Sequence, residues 1–90
     1  MKIEFDPIKR DLTLADRGLD FVDAAIVIAN SVATFDDVRF DYPEPRLVTY
    51  GFLDDRLLVV VWTPIHLGIR VISMRKANNR EQARYKARMG

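Results

Sequence analysis

An unbroken apolar run, Leu57–Trp62 (LLVVVW), constrains the fold of this 90-residue chain more than any other feature. A short continuous run of this kind is typical of a strand buried on both faces, which is the position of a central strand. Turn residues at 53–55 precede the run, and Pro64 follows it. Because proline has no backbone N–H to give to a neighbouring strand, we predict a central strand over 56–63.

A central strand needs a neighbour on each side, and the sequence offers two apolar candidates, 46–52 and 69–75. The connections to the central strand are too short for crossovers, so the three strands are predicted to form an antiparallel meander. A short edge strand is predicted at 2–5. Residues 30–37 are expected to form a loop, and the proline-containing segment 39–45 is expected to be irregular.

Two helices are predicted between the edge strand and this loop. Asp6-Pro7 is typical of a helix start, because Asp accepts hydrogen bonds from free backbone N–H groups and Pro suits the first helical position. This helix is predicted to run to Arg17 and to stop at Gly18, which can adopt the left-handed cap conformation. Asp20 is predicted to cap a second, apolar helix over about 21–30. The first helix carries one apolar stripe, formed by Ile8, Leu12 and Ala15.

A third helix is predicted from Asn78 to about Ala87, because Asn78 and Glu81 have the spacing of a capping box. The element order is then strand, two helices, three strands and helix. This order predicts an α+β fold, in which an antiparallel sheet (the short N-terminal strand plus the meander) is packed by two N-terminal helices and one C-terminal helix. A chain of this length is expected to form one domain, 1–90.

The net charge of +1 conceals a strong division of charge along the chain. Residues 1–45 carry 5 basic and 10 acidic residues, whereas residues 46–90 carry 9 basic and 3 acidic residues. Such a division suggests an anionic partner for the C-terminal part. The alternative is that folding interleaves the two parts and cancels the field.

Several classes of function find little support in the sequence. The chain has no cysteine, which excludes disulfides and cysteine-based zinc sites. No apolar run is long enough to cross a membrane, and MKIEFDPIKR lacks the apolar core of a signal peptide, so we expect a soluble cytoplasmic protein. The single histidine, His66, is expected to be an exposed loop residue rather than a catalyst. The carboxylates show no calcium-loop spacing and the glycines form no phosphate loop, so no metal or cofactor is predicted.

Basic residues near the C-terminus form the remaining candidate site. Arg75 and Lys76 come just before the third helix, whose free N–H groups would help to hold a phosphate. Arg80, Arg84 and Arg88 repeat every four residues and therefore share one helix face. The alternative is an ordinary solvated helix face.

Strict alternation along the strand 69–75 predicts which of its side chains share a face of the sheet. Ser73 and Arg75 are expected on one face, and Arg70 is expected on the other. Apolar residues accompany both sets: Ile69 and Val71 on the first face, and Ile72 and Met74 on the second.

Three compound motifs follow one another along the chain. The first joins aromatic-Asp-x-x-Lys to Gly-aliphatic-x-Phe, the second is Asp-Tyr-x-Glu-x-Arg with a later glycine, and the third is Arg-aliphatic-Ile-Ser-x-Arg-Lys-Ala with Arg-Glu and Tyr. In this chain they are Phe5–Lys9 with Gly18–Phe21, Asp41–Arg46 with Gly51, and Arg70–Ala77 with Arg80, Glu81 and Tyr85. In order and spacing they resemble the BrnT toxins, small ribonucleases of bacterial type II toxin–antitoxin systems, over nearly the whole chain.

The resemblance implies a RelE-like fold and an RNA-cleaving toxin that blocks translation. It also implies a partner, a BrnA antitoxin, which wraps the toxin and carries a DNA-binding domain, so that the complex can repress its own operon. The chain departs from the family pattern at Thr13, Asp16 and Arg17, where many members have Asn, Lys and His, and at Phe40, which is often His.

A metal-independent endoribonuclease is the hypothesis that follows from these residues. The 2′-hydroxyl of RNA would attack its own neighbouring phosphorus, and the protein would stabilise the charge that develops. Guanidinium groups suit this task because they pair bidentately with phosphate oxygens. Arg75 and Arg46 are the predicted phosphate clamps, with Arg70 and Arg80 in support.

Other side chains are assigned supporting roles in the same hypothesis. Lys9 is expected to contact phosphate or to move a proton. Glu44 is the predicted base, with a structural pairing to Arg46 as the alternative. Tyr42 or Trp62 would stack on an RNA base, and Trp62 is also expected in the core. The further predicted RNA contacts are Lys76, Arg80 and Arg84.

Two rival functions are left open by the sequence. A non-catalytic module would bind RNA or an acidic partner protein through the same basic residues. A purely structural partner would dock another chain through its apolar second helix. RNA cleavage that is lost in an Arg75→Ala variant would distinguish a ribonuclease from these two non-catalytic alternatives.

Overall fold

The structure is a computed structural model and describes residues 1–86 of the chain. Within that range it has a mixed α+β fold with one five-stranded sheet and three α-helices. None of these helices has the length and apolarity that crossing a bilayer requires. In chain order, the elements are β1 (Lys2–Glu4), α1 (Pro7–Arg17), a 3₁₀ turn (Phe21–Asp23), α2 (Ala24–Ala29), β2 (Ser31–Asp36), β3 (Leu47–Leu53), β4 (Arg56–Ile65), β5 (Gly68–Lys76) and α3 (Asn79–Tyr85). The predicted end of the last helix, Ala87, lies outside the described residues.

The strands are arranged in the order β1-β5-β4-β3-β2. β4 is therefore central, and it pairs antiparallel with both β3 and β5, which confirms the predicted meander. β1 pairs parallel with β5, so the sheet is mixed and the prediction of a purely antiparallel sheet is wrong. The reason is that a long stretch of chain separates β1 from β5, and only a short connection forces neighbouring strands to run antiparallel.

An additional edge strand, β2, occupies most of the segment 30–37 for which the sequence predicts a loop. It pairs with β3, with a register shift between Ser31 and Ala33. Four of its six residues are exposed, so it lacks the alternation of apolar and polar residues that identifies a strand. The second predicted helix is correspondingly shorter, because it is divided into the 3₁₀ turn and α2 and ends at Ala29.

The central strand β4 also continues beyond its predicted end, through Pro64. Trp62, opposite Leu47, is the last residue of β4 that pairs with β3. Beyond this point β4 has a neighbour on one side only, and proline is tolerated at such an unpaired edge. The connection to β5 is therefore reduced to 66–67, in which His66 is exposed as predicted.

The sheet carries an apolar cluster on each face. The larger cluster lies against the 3₁₀ turn and α2, and consists of Leu19, Phe21, Ala24, Val27, Leu58, Val60, Ile69, Val71 and Met74. The smaller cluster includes Tyr85 of α3 and consists of Leu57, Val59, Ala77 and Tyr85. Alternate residues of 57–60 enter the two clusters, so these four residues are buried as predicted, whereas Val61 and Trp62 at the end of the predicted run are half-buried. We call these two sides of the sheet the α2 face and the α3 face.

The helix α1 has the predicted bounds but not the predicted packing. Asp6 Oδ1 caps the helix by accepting a hydrogen bond from Ile8 N at 2.9 Å. No residue of α1 is buried, and Ile8 and Leu12 of the apolar stripe are exposed, so the prediction that this helix packs on the sheet is wrong. Polar contacts hold it instead, among them a two-point contact in which Arg10 donates to both carboxylate oxygens of Asp20 at 3.0 and 2.8 Å.

Close contact between β3 and α2 predicts that adding a side chain at Gly51 destabilises the fold. A Cβ at this position would lie 2.0 Å from the carbonyl oxygen of Val27, which is backbone and cannot move independently. We expect Gly51→Ala to lower the free energy of unfolding by roughly 2–3 kcal/mol. Gly18→Ala, where φ is 67° but space is free, is the control and should cost only about 1–2 kcal/mol. Urea denaturation measures both, and a Gly51→Ala protein as stable as wild type would contradict the packing described.

Candidate nucleic-acid interface

A β-bulge in β5 determines which side chains face which side of the sheet. In the pairing with β4, Ser73 lies opposite Val61, and Val71 lies opposite the next residue, Trp62. Ile72 is thereby left without a partner. An extra residue of this kind reverses the alternation of side chains beyond it.

The bulge brings Arg70 and Arg75 to the same face. Their partners on β4 are Thr63 and Val59, which are four residues apart on a regular strand and therefore point the same way. Val59 belongs to the cluster beside α3, so both arginines and Ser73 lie on the α3 face. The predicted division, with Ser73 and Arg75 on one face and Arg70 on the other, is therefore wrong.

Two basic residues of α1 donate hydrogen bonds to backbone carbonyl groups at and near the bulge. β1 pairs with β5 only as far as Arg70, so the following part of β5 has no strand on that side. Lys9 Nζ donates to the carbonyl oxygen of Ile72 at 2.6 Å, and Arg17 Nη1 donates to that of Met74 at 2.7 Å. The structure thus places Lys9, a predicted phosphate contact, on the carbonyl of the bulge.

Arg75 is held by a network on the α3 face. Its Nη1 and Nη2 donate to the two carboxylate oxygens of Glu81 at 2.8 and 2.9 Å. The hydroxyl of Tyr50 donates to the same carboxylate at 3.0 Å, and the backbone N–H of Asn78 donates to it at 2.9 Å, which completes the predicted capping box. Sequence reasoning found the helix cap but not the pairing of Glu81 with Arg75, because that pairing depends on the bulge.

This network shifts the protonation equilibria of its members. The hydrogen bonds from Arg75 are the main cause that lowers the pKa of Glu81 to about 2. The same contact raises the pKa of Arg75, against burial and the positive charge of Arg39. Burial, followed by the hydrogen bond to Glu81, raises the pKa of Tyr50. At neutral pH the carboxylate is therefore charged, and it acts as an anchor for Arg75 rather than as a base.

Arg39 is a basic residue of this region that the sequence analysis missed, because it lies outside the C-terminal basic cluster. Its Nε and Nη2 donate to the two carboxylate oxygens of Asp37 at 2.9 and 2.8 Å. The Asp37 side chain is only 1% exposed, and the hydrogen bonds from Arg39 are the main cause that lowers its pKa to about 2. The positive charge of Arg39 opposes the rise in the pKa of Arg75.

Arg46 is positioned by two neighbours in its own segment. Its Nε donates to Glu44 Oε1 at 3.3 Å, and its guanidinium carbon lies 4.0 Å from the centre of the Tyr42 ring. Glu44 is thus the ion-pair partner of Arg46, which was the alternative to its predicted role as a base. Val48, two residues after Arg46, packs against the smaller cluster, so alternation places Arg46 on the side of the α3 face.

The remaining predicted residues are distributed around this face. Arg70 Nη1 donates to Glu4 Oε1 at 2.8 Å. Lys76 lines a separate depression of about 470 Å³, together with residues at the β3–β4 turn and on α3. Arg80 and Arg84 are exposed on α3 and make no ion pair with other residues in the range 1–86, whereas Arg88 lies beyond the described part.

Trp62 is not part of this interface. It packs against the larger cluster on the α2 face, and its Nε1 donates to Thr49 Oγ1 at 2.9 Å. Its expected place in the core is therefore confirmed. Among residues 1–86, no three His, Cys, Asp or Glu side chains come together as a metal site.

The part of the α3 face that α3 leaves open is partly apolar and is bordered by arginines. Half-buried Val48, Val61 and Ser73 line it, and Arg46, Arg70 and Arg75 border it. We call this region the open α3 face. Arginines around a partly apolar surface on a small α+β domain are typical of a protein that binds nucleic acid.

Comparison with known proteins agrees with this class. The chain matches, over residues 5–81, the family described as the ribonuclease toxin, BrnT, of type II toxin–antitoxin systems, and it belongs to that family. The comparison with curated proteins finds no match. The matched region contains all the residues that border the open α3 face.

The Arg75–Glu81 pair predicts a distinct dependence of stability on pH. Because the pKa of Glu81 is lowered from 4.5 to about 2, its ionised form stabilises the fold above about pH 4.5. This contribution is lost as the pH falls from about 4.5 to about 2. We expect Glu81→Gln to be less stable than wild type at pH 7 by roughly 1–3 kcal/mol, with a difference that narrows in acid. Urea denaturation at several pH values measures this, and a constant difference would contradict it.

The bond from Lys9 to the bulge predicts a structural effect of removing the amine. Lys9→Met should lower the free energy of unfolding by about 1 kcal/mol and increase amide exchange around the bulge in β5. Lys2→Met is the matched control, because the Lys2 side chain is exposed and its one ion pair within residues 1–86 is a loose contact with Glu4, at 3.8 Å. Unchanged exchange in β5 of the Lys9→Met protein would show that the bulge does not need this contact.

Proposed function

We propose that this chain is a metal-independent endoribonuclease that acts as the toxin of a type II toxin–antitoxin system and blocks translation. The observation that supports this most is the gathering of Arg70 and Arg75 on one open face by the bulge in β5, with Arg46 on the same side. Membership of the BrnT family supplies the class of reaction. The proposed site of action is the cytoplasm, and the proposed fold type is RelE-like.

The chemistry requires groups that stabilise charge on phosphorus rather than a protein nucleophile. The 2′-hydroxyl of RNA loses its proton to a base as it attacks the adjacent phosphorus, and a dianionic phosphorane develops. The P–O5′ bond then breaks, the 5′-oxygen leaves with a proton, and a 2′,3′-cyclic phosphate remains. Positioned N–H donors lower the energy of the phosphorane. A guanidinium has five N–H groups. Arg75 uses two on Glu81 and one on the carbonyl of Lys76, so two are free of the other residues that the structure describes. We assign these two to the phosphate.

Arg46 and Arg70 complete the proposed phosphate site. Each is oriented by a carboxylate, Glu44 and Glu4 respectively, and each keeps further N–H groups for the substrate. Arg80 supports them from α3. Lys9 contributes chiefly through its hold on the bulge, and Glu44 is retained as the candidate base because its side chain is 41% exposed.

Contacts along the RNA are proposed for residues around the open α3 face. Arg80 and Arg84 are exposed cations on α3 that can follow the phosphate backbone. Lys76 is exposed at the end of β5, and the guanidinium of Arg46 lies over the ring of Tyr42. Both residues are proposed to contact the RNA.

The proposed partner is a BrnA-like antitoxin with a DNA-binding domain, which would form a hetero-oligomer with the toxin. An antitoxin that neutralises the toxin by covering the open α3 face needs an acidic segment, because arginines border that face. Contact with operator DNA would be indirect, through the antitoxin.

A non-catalytic binding module is the second candidate. Two observations favour it. No histidine is among the residues that line or border the open α3 face, and Glu4, Glu44 and Glu81 are each paired with an arginine. Such a module would bind RNA or an acidic partner without cutting it.

Arg75→Ala tests the proposed chemistry directly. Wild type incubated with RNA in EDTA, with and without ribosomes, is expected to cleave it, and Arg75→Ala should be slower by roughly a hundred- to a thousandfold. Arg56→Ala, which changes an exposed arginine in the β3–β4 hairpin, is the matched control and should cleave normally. Circular dichroism checks folding. Arg75→Lys keeps the positive charge but loses the planar, bidentate guanidinium, so it should also cleave slowly.

Cleavage by a folded Arg75→Ala protein at the wild-type rate would refute the clamp role. A folded wild-type protein that binds RNA but never cleaves it, even with ribosomes present, would support the binding module instead.

A further inference from the structure

Phe40 is a large apolar side chain that the fold leaves in solvent. It lies in the segment between β2 and β3 and is 69% exposed. Its ring meets the ring of Tyr42 edge to face, with centroids 5.8 Å apart and an interplanar angle of 74°. Tyr42 in turn contacts the guanidinium of Arg46. Phe40 is therefore supported by a neighbouring ring but keeps most of its own surface free.

The surroundings of Phe40 combine aromatic, cationic and acidic groups. It lines an open depression of about 710 Å³, formed by residues 36–46, to which Arg39 and Arg46 also contribute. Asp36, Asp37, Asp41 and Glu44 line it as well, and of these Asp37 and Glu44 pair with the two arginines. Arg46 is one of the proposed phosphate clamps, so the depression adjoins the proposed phosphate site.

We propose that Phe40 stacks on a nucleobase of the bound RNA while Arg39 and Arg46 contact the phosphates beside that base. This inference rests on the proposed RNA-cleaving function and adds a base-binding position to it. Single-stranded RNA offers unstacked bases, and aromatic side chains bind them with little regard to sequence because every base has a π face. Phe40 suits this role better than Tyr42, whose ring already contacts both Phe40 and Arg46.

The small extent of the exposed apolar surface around Phe40 favours a nucleotide over a protein partner. The other strongly exposed apolar residue of the segment is Val38, at 83%, and Arg39 separates the two. Asp41 follows Phe40 directly. Two exposed apolar side chains are too few to form the contiguous patch that marks a protein-docking site.

Binding of two matched oligonucleotides tests the proposal. One is a short single-stranded RNA with 2′-O-methyl groups, which cannot be cleaved through its 2′-hydroxyl. The other has the same backbone with the bases removed. Phe40→Ala is expected to bind the first more weakly than wild type by roughly 5- to 150-fold, and the abasic one equally well.

Two further variants sharpen the test. Phe40→Trp should restore the affinity for the base-containing RNA, and its added indole fluorescence should be quenched on binding. Val38→Ala changes an equally exposed side chain of the same segment and should bind both oligonucleotides like wild type.

The outcomes separate this inference from the proposed function. Unchanged affinity of Phe40→Ala, or an equal loss for the abasic oligonucleotide, overturns the stacking role while cleavage by wild type stands. Wild type that neither binds nor cleaves RNA refutes the proposed function, and the stacking role with it. A Phe40→Ala protein that loses only its assembly with purified antitoxin shows that Phe40 is a protein contact, which also overturns the proposal.

Discussion

The bulge at Ile72 is the feature on which the arrangement of the open α3 face depends. Unbroken alternation would turn Arg75 towards the α2 face, where Met74 is fully buried. One extra residue lets Met74 keep its place in the core while Arg75 points to the opposite side. The bulge occurs where β1 no longer covers β5, and a backbone carbonyl at such an edge needs a donor. Lys9 supplies that donor, so α1 contributes to the site without lying on it.

Pairs of arginine and carboxylate recur around this face. The more exposed pairs, Arg46–Glu44 and Arg70–Glu4, add little to stability, so their main effect is on geometry. They hold the guanidinium planes in place before a phosphate arrives, which reduces the reorganisation that catalysis requires. They also explain how a chain of net charge +1 presents arginines on one side, because acidic residues, most of them from the N-terminal half, are interleaved with these arginines. Each arginine still has N–H groups that its carboxylate partner does not use. The pairs are Arg39–Asp37, Arg46–Glu44, Arg70–Glu4 and Arg75–Glu81.

Strong local signals made much of the fold predictable. The run 57–62 identified the central strand, and the caps at Asp6 and Asn78 identified the starts of two helices. The edge strand β2 was missed because it has little apolar surface to bury, and the parallel direction of β1 was missed because no short connection fixes it. These features depend on tertiary pairing rather than on local pattern.

The candidate site was predictable as a set of residues but not as an arrangement. The motifs pointed to Arg75, Arg46 and Arg70, yet strict alternation placed Arg70 and Arg75 on opposite faces. A bulge has no signal in a single sequence of this kind, since its position depends on how β5 pairs with β4. The pairing of Glu81 with Arg75 follows from the same tertiary geometry.

Mapping of bound RNA by NMR tests the central claim most directly. A 2′-O-methyl RNA oligonucleotide would be titrated into the isotope-labelled protein, and the arginine Nε–H and backbone signals would be followed. If RNA binds the open α3 face, the largest shifts will occur at Arg75, at Arg70 and at residues of that face such as Ser73. Shifts confined to the α2 face, or to the outer side of α3 with Arg75 unaffected, would contradict it.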